Sequence, residues 1–384
     1  MAKSDKKPRI LLFGGDGGRS GVPRHIEQIC ETLRSSASLT VVSDQNCGGY
    51  DNVAVTADRY IQINGLRTSL RPLRLILGVW GCRRVAHQTR WDVIWLHARL
   101  PALMLRIALM IGLLRLHPQT KIVMSYHGLP FDAGHRRVAA ALSHLLERML
   151  LAWCPPMHLV FLSHDMATRL RHCVGAARLR RHRIHVLPNS SNLRPGLHPQ
   201  ARRNARHLVI TGRAGYQKNY PLAARLMDHM PSDFVLTLCG AGTDDPVFQQ
   251  TVFEQVAPDT RKRIRFVGPV VDVRKTLAGA DAYLLTSRYE GMPIGAIEAF
   301  ESGLPLILSP FEAAPEMVAA HPLAICLPFQ DLARDAGRIT RLIDQYNRNR
   351  DGQTAQIRAA WQRKYPYDVW QNRMRRLVAE IAAA

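Results

Sequence analysis

Two successive series of short apolar runs, most of them separated by stretches of helical periodicity, constrain this chain more than any other feature. The first series occupies residues 10–13, 39–42, 93–96, 122–126, 159–162 and 184–187. The second occupies 207–211, 234–238, 264–267, 283–285, 306–308 and 324–327. Runs this short and continuously apolar suit strands buried on both faces, and the helices between them supply the crossovers that parallel strands need. Each series therefore predicts a parallel sheet covered on both sides, a Rossmann-like α/β domain. Residues 188–206, with Pro188, Pro195 and Pro199 among Asn, Ser and Arg, read as the linker. A chain of 384 residues has room for two such domains. Ligands of open parallel sheets bind outside the carboxyl ends of the strands, so the expectation is two domains facing a central cleft.

Apolar residues at 47% and charged residues at 21% describe an ordinary globular chain, but the net charge of +22 does not. The surplus is uneven: residues 1–190 hold 27 Lys+Arg against 11 Asp+Glu, and residues 191–384 hold 25 against 19. Such a field seeks anionic partners. Nucleic acid is excluded as the expected one, because aromatics are only 7% and no helix-turn-helix, zinc-finger or RNA-stacking motif accompanies the charge. Phosphorylated substrates and an anionic membrane surface remain. Residues 66–84 interleave Arg67, Arg71, Arg74, Arg83 and Arg84 with leucines, Ile76, Val79 and Trp80. This basic amphipathic pattern is either a helix packed on its own sheet with snorkelling arginines or a membrane contact. The apolar run 100–114 contains Arg106 and is shorter than the roughly 20 residues a spanning helix needs, so it reads as a core helix. The seven cysteines lack a Cys-x-x-Cys pair and read as buried thiols of a reducing compartment. His182 and His185 have no further ligand near them in sequence and read as surface residues, with no metal site. Lys3, Lys6, Lys7 and Arg9 precede too short an apolar run for a signal peptide, so a cytoplasmic location is expected, peripheral to the inner face of the cytoplasmic membrane.

Four stretches carry chemistry. Behind the run 282–285 stands Tyr289-Glu290-Gly291-Met292-Pro293-Ile294-Gly295-Ala296-Ile297-Glu298. Gly291 permits close backbone approach, Pro293 fits the first turn of a helix, and the free N–H groups of that turn face a would-be phosphate. Glu290 precedes the helix and Glu298 lies about one and a half turns inside it, so each carboxylate is placed for different ligand hydroxyls. After the run 207–211 come Gly212-Arg213 and Lys218-Asn219, two cations suited to a diphosphate. The glycine-rich loop 14–21 ends at Gly21 and allows an anion to approach a helix N-terminus. It is equally compatible with a nucleotide-binding oxidoreductase, for which Asp44 at the end of the second strand would bind a ribose. His127-Gly128 directly follows the strand 122–126, where an imidazole could bond a sugar hydroxyl.

Together these stretches resemble the retaining glycosyltransferases of family 4, which carry a Glu-x7-Glu signature like Glu290 and Glu298 after a strand. Arg265-Phe266-Val267-Gly268, Asp272-Val273-Arg274 and Ala280-Asp281-Ala282 before it, and Ser302-Gly303-Leu304-Pro305 after it, extend the likeness. So do Arg213 with Lys218-Asn219, His127-Gly128, and Ser20-Gly21-Val22-Pro23-Arg24-His25, where Ser20 replaces the family's usual glycine. The resemblance implies a GT-B fold: an acceptor domain over 1–190, a nucleotide-sugar donor domain over 191–365, and a C-terminal helix, 366–384, returning to the first domain. It implies donor contacts at Gly21, Arg213, Lys218, Glu290, Gly291, Met292, Pro293, Ile294 and Glu298, and catalytic parts for Glu290, His127, Arg213 and Lys218. It implies no enzymic nucleophile, the leaving phosphate oxygen taking the acceptor proton. No Asp-x-Asp clamp is present, and neither a metal nor another cofactor is expected. The implied activity is transfer of a hexose-type unit from a nucleoside-diphosphate sugar to a lipid-linked or lipopolysaccharide glycan. Rival readings on the same fold are a sugar-nucleotide epimerase, a soluble glucan- or sucrose-type transferase, and a non-catalytic nucleotide-sugar-binding protein. Ser163 and Asn189 stand where the family has cleft-facing polar residues, although a helix cap or a turn explains them equally.

Overall fold

The apolar runs pair as parallel strands in two separate sheets. The computed structural model describes residues 7–67, 72–131, 137–193 and 205–383, so Lys3, Lys6, Leu70, Arg71, Pro195 and Pro199 lie outside the described residues. The chain divides into one unit of Met1–Pro188 with Asp368–Ala384 and another of Asn189–Tyr367.

The first unit holds β1 (Arg9–Phe13), β2 (Ser38–Ser43), β3 (Arg59–Gln62), β4 (Val93–Leu96), β5 (Lys121–Tyr126), β6 (His158–Phe161) and β7 (Arg183–Val186). Their order is β3-β2-β1-β4-β5-β6-β7, so the direction of winding reverses between β1 and β4. Ile10, Leu11, Leu12 and Phe13 are wholly buried, as a central strand covered on both faces requires. β3 has no counterpart among the expected strands, because Arg59-Tyr60-Ile61-Gln62 pairs only with β2 at the sheet edge and buries none of its residues. The helix Gly21–Leu33 turns Ile26, Ile29, Cys30 and Leu33 inward at helical spacing. The run expected as a core helix forms Arg99–Met110. Its Arg106 is buried but donates at 3.0 and 2.8 Å to both carboxylate oxygens of Glu147, on the helix Arg137–Trp153. The Tyr126 hydroxyl also donates to Glu147, so a buried pair is held with its lone pairs occupied. No described helix is long and apolar enough to cross a membrane. The helix Tyr367–Ala383 buries Trp370, Met374, Leu377, Val378 and Ile381. From Asp368 onward it belongs to the first unit, and Gln371 Nε2 donates to Thr32 Oγ1 at 3.4 Å.

The second unit holds β8 (Arg206–Thr211), β9 (Phe234–Cys239), β10 (Ile264–Gly268), β11 (Ala282–Leu285), β12 (Leu306–Leu308) and β13 (Ala324–Cys326), in the order β10-β9-β8-β11-β12-β13. Winding reverses here between β8 and β11. The helix after β11 spans Ile294–Glu301. Pro293, expected in its first turn, stands one place earlier with extended backbone (φ −69°, ψ 119°), and its carbonyl accepts from the N–H groups of Ala296 and Ile297. A Cβ on Gly295 would overlap Thr211 Oγ1 and Tyr283 Oη, so only glycine lets this turn settle on the ends of β8 and β11.

Two further expectations fail. His182 is buried, its Nδ1 accepting from Met157 N–H at 3.1 Å and its Nε2 donating to the Leu151 carbonyl at 2.9 Å, while the half-buried His185 stacks on His158. All seven thiols are free, but only Cys30, Cys82, Cys154 and Cys239 are buried; Cys47, in the loop after β2, is exposed.

Candidate active site

In the second unit the winding reverses between β8 and β11, and the loops leaving their carboxyl ends carry the residues read as a donor site. Lys218 Nζ lies 2.8 Å from Glu290 Oε1, and the same oxygen accepts from Ser287 Oγ at 2.8 Å. The two ionic side chains are only 15% and 9% exposed. Burial alone pulls the Lys218 ammonium down, but the Glu290 carboxylate and the nearby Tyr283 outweigh it and leave its pKa raised. Lys218 therefore stays a cation. Its stem lies against Gly212, which has φ +146° and no room for a Cβ on that side.

Hydrogen bonds fasten the two loops to each other. Arg288 N–H donates to the Gln217 carbonyl at 2.8 Å, Gln217 Nε2 to the Tyr289 carbonyl at 3.1 Å, and Thr286 Oγ1 to the Lys218 carbonyl at 3.2 Å. Asn219 adopts left-handed backbone (φ 52°), which asparagine tolerates, and its Oδ1 accepts from Arg288 Nη2 at 2.9 Å. Asn189 Nδ2 donates to the Met292 carbonyl at 2.7 Å and pins the chain just before Pro293. Lys218 and Glu290 thus meet directly. Gly291, Met292, Pro293 and Ile294 form the turn above them, Glu298 is buried one turn into the helix, and Arg213 is exposed on the β8 loop. Ser287, Tyr283 and Arg288 were not anticipated. Ser287, three residues before Glu290 at the end of a buried strand, carried the clearest signal.

In the first unit Gly21 opens the helix Gly21–Leu33, and His127 stands at the end of β5. The glycine-rich loop is held by the loop after β2: Gly14 N–H donates to the Val42 carbonyl, and Cys47 and Gly49 both donate to the Gly17 carbonyl. Asp44 accepts from Gln45, Gly65 and Arg67 N–H at 2.7, 3.0 and 2.6 Å. Its carboxylate thereby ties the end of β2 to the segment after β3. Ser163 accepts from Met166 N–H at 3.0 Å and is a helix cap. His127 joins His97, directly after β4, which the sequence reading passed over, and His25 in the first helix, which it quoted only as the end of the Ser20–His25 stretch. His97 Nδ1 and His127 Nε2 are 3.3 Å apart, and one nitrogen from each of the three rings lies within 4.8 Å of the others. Burial pushes His127 down to about 4, with Arg99 acting in the same direction, and holds His25 and His97 well below the usual histidine range. Neutral imidazoles of this kind can bond ligand hydroxyls, and they are also the form in which histidine binds a metal ion.

Residues 19–194 match the family described as Glycosyltransferase Family 4, and residues 205–345 match Glycosyl transferases group 1. The chain belongs to the glycosyltransferases. A curated relative, the UDP-Gal:alpha-D-GlcNAc-diphosphoundecaprenol alpha-1,3-galactosyltransferase of Escherichia coli, is 24% identical over 244 residues, 59% of each chain. The match thus spans about three fifths of that relative's length. Among solved structures, sucrose-phosphate synthase from Thermosynechococcus elongatus superposes with a TM-score of 0.81 at 17% identity, covering 98% of this chain and 100% of that one. HepE of Anabaena, in complex with UDP-glucose, gives 0.75 at 15%, covering 97% and 99%. The glycosyltransferase therefore has the α/β fold of the GT-B class, built from two Rossmann-like parallel-sheet domains.

Proposed function

We propose that this glycosyltransferase moves a hexose-type sugar from a nucleoside-diphosphate donor to a lipid-linked or lipopolysaccharide glycan, with retention of configuration and without a metal, at an anionic membrane surface. The observation that carries the reading is the Lys218–Glu290 pair at the winding reversal of the second sheet, beneath the N-terminus of the helix Ile294–Glu301. Glu290, itself held by the Ser287 hydroxyl, holds the ammonium in place. An arriving diphosphate replaces Glu290 as the partner of Lys218, and the carboxylate is released to accept from the sugar hydroxyls. Arg213 and the first N–H groups of the helix add positive potential where charge grows on the departing diphosphate. Glu298, deeper in the helix, is left for the nucleoside. In the first unit, neutral His127 is available to bond a ligand hydroxyl, and the leaving phosphate oxygen takes the acceptor proton. The acceptor class is supported by the name of the Escherichia coli relative, which acts on a diphosphoundecaprenol-linked sugar.

The test is a thermal-shift screen against UDP-, GDP- and ADP-sugars in EDTA, followed by anomeric analysis of the product formed on a lipid-linked acceptor. A donor at 100 times its Kd should add about 2.7 kcal/mol of stability. Absence of any shift, or activity that appears only with Mg²⁺, overturns the reading. Binding without transfer to any lipid-linked or lipopolysaccharide acceptor overturns its acceptor part.

A further inference from the structure

We propose that the outer faces of the helices Pro72–His87 and Arg137–Trp153 form one docking surface for an anionic lipid bilayer. This deepens the membrane location proposed above and gives it a seat on the first unit. The helix Pro72–His87 is apolar on two sides. Its inner side buries Cys82, Val85 and Ala86, and Gly78 lets it approach Met104 of the helix Arg99–Met110 closely. Its outer side exposes Leu73 (72%), Ile76 (55%), Leu77 (54%) and Trp80 (62%), spaced i, i+3, i+4 and i+7 along a single stripe. That stripe has no packing partner among the described residues, so the reading of the helix as one packed wholly on its own sheet does not account for it.

The helix Arg137–Trp153 repeats the arrangement, with Val138 at 83%, Leu142 at 57% and Leu145 at 56% exposed. The helix Arg99–Met110 packs against both and ends in exposed Ile111 and Leu113. The connections β3 to β4, β4 to β5 and β5 to β6 all run the same way across the sheet, so right-handed crossovers put the three helices on one side of it. Together they present an apolar area of the kind that marks an interaction site.

Charge selects the occupant. The two outer helices carry Arg74, Arg83, Arg84, Arg137 and Arg148, and their one acid, Glu147, is buried and neutralised by Arg106. Arg83 lies over the Trp80 ring at 5.4 Å, a pairing suited to the level of lipid headgroups. A second copy of this chain would set these arginines against one another. An anionic bilayer offers acyl chains to the stripes and phosphates to their rims.

The full chain, without any sugar nucleotide, would be sedimented with vesicles of phosphatidylcholine alone and of phosphatidylcholine with phosphatidylglycerol. Binding should require phosphatidylglycerol and weaken toward 1 M salt, where the Debye length is about 3 Å. The variant Ile76→Ser/Leu77→Ser/Leu142→Ser should lower the partition about tenfold or more at low salt. Its melting temperature should match that of the wild type, because the replaced side chains are exposed. Wild-type-like sedimentation of the variant, failure of the wild type to bind, or early unfolding of the variant overturns the proposal. So does a wild-type dimer that the variant converts to a monomer. Because no donor is present, failure here leaves the transferase reading intact, and failure of the donor screen leaves this surface intact.

Discussion

At the scale of single residues, the Lys218–Glu290 bond makes each partner's role depend on the other. Removing Lys218 takes away a cation that is already oriented, so Lys218→Ala should lower kcat by about 10²–10³ with the fold retained. Glu290→Gln leaves Lys218 beside a neutral amide in a poorly solvated place. The single variants and their double should therefore be non-additive in chemical unfolding, with a coupling of about 0.5–3 kcal/mol. Strict additivity would mean that the pair contributes nothing to the ground state. Both residues were legible in the sequence, each from its own loop and strand. Their bond was not, because it joins positions 72 apart and depends on which two strands flank the winding reversal. His97 shows the opposite failure. It follows β4 as directly as His127 follows β5, so the reasoning that selected one histidine applied equally to the other.

Among elements, the contact between the helix Ile294–Glu301 and the ends of β8 and β11 is the most demanding. A side chain at Gly295 must push the helix off Thr211 and Tyr283. Gly295→Val should cost about 1–3 kcal/mol in denaturant unfolding and weaken nucleoside-diphosphate binding in calorimetry, since the same turn carries the N–H groups proposed to face the phosphate. Unchanged affinity with lowered stability would separate the helix from the anion site. Most strands were readable because a buried parallel strand must be a continuous apolar run. β3 escaped because an edge strand need not be, and the polar Arg59 and Gln62 at its ends hide it. The two outer helices of the first unit were only half readable. Periodicity locates the stripe from Leu73 to Trp80, but whether a stripe faces the protein or the solvent is decided by what packs on the other side.

Across the whole molecule, a set of buried neutral histidines links stability to pH. Burial holds His127 and His158 at about 4 and His321 at about 3, all below the ordinary value of 6.5, and His25 and His97 are displaced the same way. Below about pH 6.5 the unfolded chain takes up protons that the folded chain refuses, so stability falls as pH falls through that window toward the folded values. Melting curves should therefore move down steadily from pH 7 to pH 5, before the carboxylates titrate. A flat response would show that these rings are solvated or charged in the folded state. Four of the five lie in the first unit, which should be the first to yield to acid. That unit is also interrupted: its polypeptide leaves at Pro188 and resumes at Asp368. During synthesis the ribosome must translate all of the intervening unit, on the order of ten to forty seconds of elongation, before Trp370 can come within 5.8 Å of His25. The half of the protein made first is thus the half completed last, and a nascent chain waits through that interval with the seat of its final helix uncovered.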